Sequence, residues 1–127
     1  MESRLILGTD MPSGTGVIPL GMLRTIAWVS SLGGIDPAQA VAMATGNTAR
    51  LHGLNRGVVA AGREADLIVA DAPIGSAAST ALETLAIGDT PAVAAVIVDG
   101  VVKAGTSRNT PPAQRKVSVP GFAGGGH

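Results

Sequence analysis

Apolar positions set the elements along this chain. Leu5-Ile6-Leu7 is a continuous apolar run that closes on Gly8-Thr9-Asp10, and such a run bounded by turn signals predicts a strand buried on both faces. Residues 11–19 (MPSGTGVIP) read as a loop from their Gly and Pro content. Leu20, Leu23, Ile26, Ala27 and Trp28 then recur at helical spacing until Gly33-Gly34, which predicts a helix over Leu20–Leu32. Asp36-Pro37-Ala38-Gln39 opens a second helix: Asp36 as N-cap, Pro37 at the first helical position, Gln39 to complete a capping box. That helix runs from Pro37 to Thr45 and stops at Gly46, and a shorter one from Asn47 to His52 ends at Gly53.

The pattern changes after Leu54. Gly57-Val58-Val59 opens a β-rich segment, and Leu67-Ile68-Val69-Ala70 reads as a buried strand. Ser76–Ile87 predicts an Ala-rich helix with Leu82, Leu85 and Ala86 on one face, ended by Gly88. The clearest local signal is Val93–Val98, Asp99-Gly100, then Val101-Val102-Lys103. A two-residue Asp-Gly between β-branched runs predicts a type I′ hairpin. From Ser107 the chain reads as an extended or disordered tail ending in Gly124-Gly125-Gly126-His127. A buried strand at residues 5–9 needs neighbours on both edges, and the later strands look antiparallel. The expectation is therefore a chain that begins in the middle of a fold.

Composition narrows the function classes. Of 127 residues, 46% are hydrophobic, and mean hydropathy is +0.38; disordered chains are poorer in apolar residues and richer in charge. Nine basic and nine acidic side chains give zero net charge, so there is no electrostatic footprint for nucleic acid or a membrane surface. The absence of Cys excludes disulfides and thiolate chemistry. One Trp, one Phe and no Tyr leave no platform for base stacking. No apolar run reaches the ~18 residues a membrane span needs, and Met1–Gly8 lacks a signal-peptide pattern, so a cytoplasmic location is expected.

The candidate chemistry is at Asp10. A carboxylate at the C-terminal end of a buried strand, before a Gly-rich loop, occupies the position that is catalytic in α/β barrels, where it could bind a metal and move a proton. It could equally cap the loop that follows. Three stretches then carry a resemblance: residues 7–19 (LGTDMPSGTGVIP), Asp36-Pro37 through Ala44-Thr45-Gly46-Asn47-Thr48-Ala49, and Gly57 through Gly62-Arg63-Glu64-Ala65-Asp66-Leu67-Ile68-Val69. Together they resemble the end of the amidohydrolase superfamily. Ser13-Gly14-Thr15-Gly16 and Ser107–Pro112 are similar to its branch of cyclic-amide hydrolases of nicotinate fermentation.

The resemblance implies an α/β fold: the last strand and following helices of a metal-dependent-hydrolase (β/α)8 barrel, with the C-terminal half of a small β-sandwich. Residues 1–56 would be the last barrel strand, active-site loop and helices, 57–106 the sandwich segment with one helix, and 107–127 the tail. It implies a divalent metal, zinc and/or iron, in the parent enzyme. Asp10 would bind that metal and carry a proton from the attacking water to the leaving nitrogen. The implied reaction opens a six-membered cyclic amide such as 6-oxo-1,4,5,6-tetrahydronicotinate, and the implied full-length enzyme is a homo-oligomer. The family's His-x-His pair and bridging ligand have no counterpart in this chain. Alternatives are an imidazolonepropionase- or dihydroorotase-type enzyme, or a non-catalytic module that completes a partner chain. Ser13 and Thr15 could contact substrate or bond their own loop. His52 suits a helix C-terminus, and His127, after three glycines, is too mobile for a ligand. Asp66 and Asp71 read as turn or capping residues; Arg108 faces solvent or pins the tail.

Overall fold

The computed structural model describes residues 2–10 and 18–121. After a single 3-10 turn at Glu2–Arg4 come helices α1 (Gly21–Gly33), α2 (Pro37–Ala44) and α3 (Gly46–His52). Strand β1 (Leu67–Asp71), helix α4 (Ala81–Ala86) and strands β2 (Ala92–Val98) and β3 (Val101–Ala104) follow.

Each helix boundary has a local cause. Asp36 Oδ2 accepts from the N–H groups of Ala38 (3.1 Å) and Gln39 (3.3 Å), which satisfies two donors that α2 leaves open. Thr45 is both the last cap of α2 and the N-cap of α3, so the chain turns sharply between them. Gly34 and Gly53 close α1 and α3 in the left-handed conformation. Helix α4 begins at Ala81 instead of Ser76. Thr80 caps it through Glu83 N–H, while the Glu83 carboxylate accepts from Ser79 N–H (2.8 Å) and Ser79 Oγ (2.7 Å). These bonds to the charged form hold the Glu83 carboxyl below its ordinary pKa.

Ile26, Ala27, Ala40 and Leu85 form one buried cluster, so α4 packs on α1 and α2. The three strands make an antiparallel sheet in the order β1-β2-β3. Ala92–Ala95 of the central strand are all buried. The predicted hairpin is present: Asp99 (φ 51°) and Gly100 (φ 74°) both take the positive φ that a type I′ turn requires. Asp66 Oδ1 accepts from Asp99 N–H at 2.8 Å, and Gly100 N–H bonds the Ala65 carbonyl at 3.0 Å. Asp66 thus serves the turn, as its residue type suggests.

Two expectations are corrected. Residues 5–10 do not join a sheet. No described strand lies alongside them, and Leu5 and Ile6 are 45% and 43% exposed instead of buried. The strand expected at Leu67–Ala70 is present as β1, but it is not a buried one: Ile68 and Val69 are 51% and 39% exposed. Of the two readings of the tail, extended or disordered, residues 107–115 take the extended one, as a strap bonded to the end of the sheet. Ser107 N–H bonds the Val93 carbonyl, and buried Thr110 accepts from Val93 N–H through Oγ1. Further along, Ile74 N–H bonds Pro112 O, Gln114 N–H bonds Ala72 O, and the Gln114 amide donates to the carbonyls of Pro73 and Ala78.

Asp71 closes this strap and is not a turn residue. It is buried (6% exposed), and Arg115 donates to it from its backbone N–H, Nε and guanidinium NH2, the last also reaching Ser79 O. Arg115 holds the Asp71 carboxyl far below its ordinary 3.8. A carboxylate with a depressed folded pKa stabilises the fold above its unfolded pKa, and that stability is lost as pH falls through the interval below 3.8. Arg115→Ala strands the buried charge. We expect a lower thermal midpoint at pH 7 and a weaker loss of midpoint between pH 4 and pH 2 than in the unaltered protein. Parallel midpoint-against-pH curves would contradict the pairing.

The chain also leaves large apolar side chains uncovered. Trp28 (65%) and Leu32 (75%) on α1, and Val59 (85%) in the loop before β1, are exposed. Among the described residues, no helix is long and apolar enough to cross a membrane.

Candidate active-site segment

Asp10 ends the irregular segment 5–10. It is exposed and has φ 51°, a left-handed backbone that Asp tolerates better than most residues. Three contacts from α2 and α3 tie down the chain before it. Leu7 N–H bonds the Met43 carbonyl (3.1 Å), Asn47 Nδ2 donates to the Leu5 carbonyl (2.9 Å), and the Arg50 guanidinium donates to Ser3 O. Thr48 Oγ1 also donates to Met43 O at 2.9 Å, so that carbonyl at the end of α2 is doubly bonded. Asn47 and Arg50 lie one helical turn apart, and Arg50 bonds Asn47 Oδ1 at 3.3 Å. A shallow, open depression lined by Ser3, Arg4, Ile6, Asn47, Arg50 and Leu51 marks this junction.

Ser13, Thr15 and His127 lie outside the described residues. His52 is exposed in the last turn of α3, where a cation suits the helix dipole. Asp66 bonds the hairpin turn and pairs with Arg56 (2.9 Å), which also pairs with Glu64 (2.5 Å). Arg108 is exposed. Candidate ligands are therefore not brought together: no group of three or more His, Cys, Asp or Glu stands close enough to hold a metal among the described residues. Periodicity did not reveal Asn47 and Arg50, although their i, i+3 spacing on a short helix puts two donors on one face.

The two motif stretches of the resemblance meet in space. Thr45–Ala49 contacts Gly57 and Val58: a Cβ built on Gly57 would lie 2.7 Å from Ala49 Cβ, and one on Gly46 would lie 3.2 Å from Val58 Cγ2. Small residues on both sides let the two backbones touch. The model of the amidohydrolase family matches residues 2–104. The chain belongs to the amidohydrolase family. It is 51% identical over 116 residues to the enamidase of Eubacterium barkeri, a match that covers 91% of this chain and 30% of that protein. The crystal structure of enamidase, described as a new member of the amidohydrolase superfamily, superposes with a TM-score of 0.87 over the same shares. The chain thus spans 30% of the length of the relative it matches.

Members of this superfamily generally depend on divalent metals. The described residues alone do not fit a metal centre. Asp10 offers one carboxylate, whereas a catalytic site takes about three protein ligands.

Proposed function

We propose that this chain is the C-terminal portion of an enamidase-like amidohydrolase, which hydrolyses the C–N bond of a six-membered cyclic amide. The observation that carries the proposal is 51% identity to enamidase across 91% of the chain, with a TM-score of 0.87. In this reading residues 5–10 pair as the last barrel strand only beside strands that the rest of the enzyme supplies, the remainder of 1–56 supplies the active-site loop and the helices behind it, and 57–106 supply part of a β-sandwich. The strap extends from 107. The whole enzyme is a cytoplasmic homo-oligomer, and 6-oxo-1,4,5,6-tetrahydronicotinate is its substrate. Zinc or iron is bound mainly by residues beyond this chain, with Asp10 as a single donor.

Asp10 is the chain's own contribution to the chemistry. Its carboxylate takes the proton from the water that attacks the amide carbonyl and delivers it to the departing nitrogen. The exposed end of segment 5–10 leaves the carboxylate open to such a water. Ser13 and Thr15, on the adjoining loop, would bind substrate.

The isolated chain should therefore be inactive. With added zinc, iron(II) or manganese, hydrolysis of cyclic amides should match the chelator-washed control. Turnover that co-elutes with the chain through a sizing column would overturn the proposal.

A further inference from the structure

We infer that residues 112–115 are a latch that opens as a unit and that sets the angle of α4 on the sheet. The inference stands apart from the proposed reaction, because it rests on bonds formed within this chain. Residues 72–80 connect the end of β1 to the start of α4. Two strap residues each hold both ends of that connection. Gln114 donates its backbone N–H to Ala72 O (2.9 Å) and its side-chain amide to Pro73 O (3.2 Å) and Ala78 O (3.0 Å). Arg115 donates to the Asp71 carboxylate from its backbone N–H and its guanidinium, and the guanidinium also reaches Ser79 O at 2.8 Å. Ala78 and Ser79 precede the Thr80 cap, so their carbonyls lie outside the helix ladder and the strap supplies their donors. Asp71, Ala72 and Ala78 are buried, whereas Gln114 and Arg115 are exposed. A segment held by polar bonds near solvent opens locally before the core does.

The other end of α4 is held by packing and by the chain. Leu85 sits in the cluster with Ile26, Ala27 and Ala40, Asp89 N–H bonds Thr84 O at 3.0 Å, and buried Pro91 leads directly into β2. The latch is thus the second point that sets the angle of this six-residue helix. Opening it leaves β1 and α4 formed but free to turn against each other about connection 72–80, as in a hinge.

The test separates a latch from a local brace and from general stability. Arg115→Lys keeps the positive charge beside Asp71 but lacks the planar fork that spans Asp71 and Ser79 O. Gln114→Ala removes the bonds to Pro73 O and Ala78 O and keeps the backbone N–H. Both are placed, singly and together, in a chimera in which this chain replaces the matching 30% of Eubacterium barkeri enamidase. Hydrogen exchange is followed by mass spectrometry on peptides that contain Ile74, Thr84 and Gly100. Ile74 N–H bonds Pro112 O in the strap, Thr84 N–H bonds Thr80 O in the first turn of α4, and Gly100 N–H bonds Ala65 O at the opposite end of the sheet. One net hydrogen bond shifts an opening equilibrium about 2- to 10-fold. We expect the double variant to speed exchange at Ile74 and Thr84 together by about tenfold or more, with Gly100 unchanged. Each single variant should give a smaller share of the same pattern, and the single variants carry the comparison if the double variant does not fold.

Faster exchange at Ile74 with Thr84 unchanged would overturn the inference, since the strap would then brace only the end of β1. So would an equal acceleration of all three peptides, which marks general destabilisation, or no acceleration at Ile74. The readout is exchange and not turnover, so an inactive chimera bears on the proposed function and leaves this comparison intact.

Discussion

Gly57→Ala should be among the most destabilising single substitutions in this chain. Gly57 has φ +85°, and an added Cβ would lie 2.7 Å from Ala49 Cβ and 2.8 Å from the Thr45 carbonyl oxygen. Two costs combine: about 1–2 kcal/mol for a Cβ in the left-handed region, and about 1–3 kcal/mol for overpacking. The obstacle is partly main chain, at the cap shared by α2 and α3, so a rotamer change cannot relieve it. Gly62 isolates the first cost, because it has the same φ of +85° with nothing within 4 Å of the added Cβ. Denaturant melts of the chimera should rank the midpoints: unaltered, then Gly62→Ala, then Gly57→Ala well below both. Equal midpoints for the two variants would show that the contact of loop 57–58 with the α2–α3 junction is not formed as described.

The largest effect on activity is expected at Asp10. Asparagine preserves the shape of the side chain at an exposed site with φ 51°, a conformation that Asn tolerates as well as Asp. The fold should therefore survive. An amide cannot accept the proton of an attacking water, and loss of a general base costs about 10²–10⁴-fold. An interaction made in the transition state is removed while ground-state binding is retained, so kcat should fall far more than KM. His52→Ala is the contrasting variant. His52 is exposed in the last turn of α3, so its loss should lower stability slightly through the helix dipole and leave kcat nearly intact. Steady-state kinetics on both variants, with circular dichroism as the check on folding, measures the difference. An Asp10→Asn enzyme within about tenfold of the unaltered chimera, short of the general-base factor, would remove Asp10 from the chemistry.

Elements governed by near neighbours in sequence were legible before the structure. The Asp99-Gly100 hairpin, the Asp36-Pro37 helix start and the glycine stops at 34 and 53 each act within a few residues, and all are observed. Elements governed by distant partners were not. The apolar run Leu5-Ile6-Leu7 signals burial, but the neighbours that would bury it are not among the described strands, and it stays irregular. Alanine content predicts α4 from Ser76, whereas the cap sets its start at Ala81: Thr80 and Glu83 hold the spacing of a capping box. The strap's anchoring is not legible in sequence, because Pro, Lys and Arg read as solvent-facing until Arg115 is seen on the buried carboxylate of Asp71, 44 residues away. Asp10 is legible as a candidate from its place at the end of an apolar run. Asn47 and Arg50 are not, since their roles depend on main-chain oxygens more than 40 residues earlier.

Turnover of 6-oxo-1,4,5,6-tetrahydronicotinate by the chimera tests the central claim most directly. The Eubacterium barkeri enamidase supplies the remainder of the enzyme, and this chain supplies the 30% it matches. Metal-loaded chimera should hydrolyse the cyclic amide within about tenfold of the parent, a barrier difference of about 1.4 kcal/mol. Deletion of this chain's portion should abolish turnover. A folded, metal-loaded chimera with no hydrolysis of the amide would contradict the assignment of this chain to an enamidase-like active site.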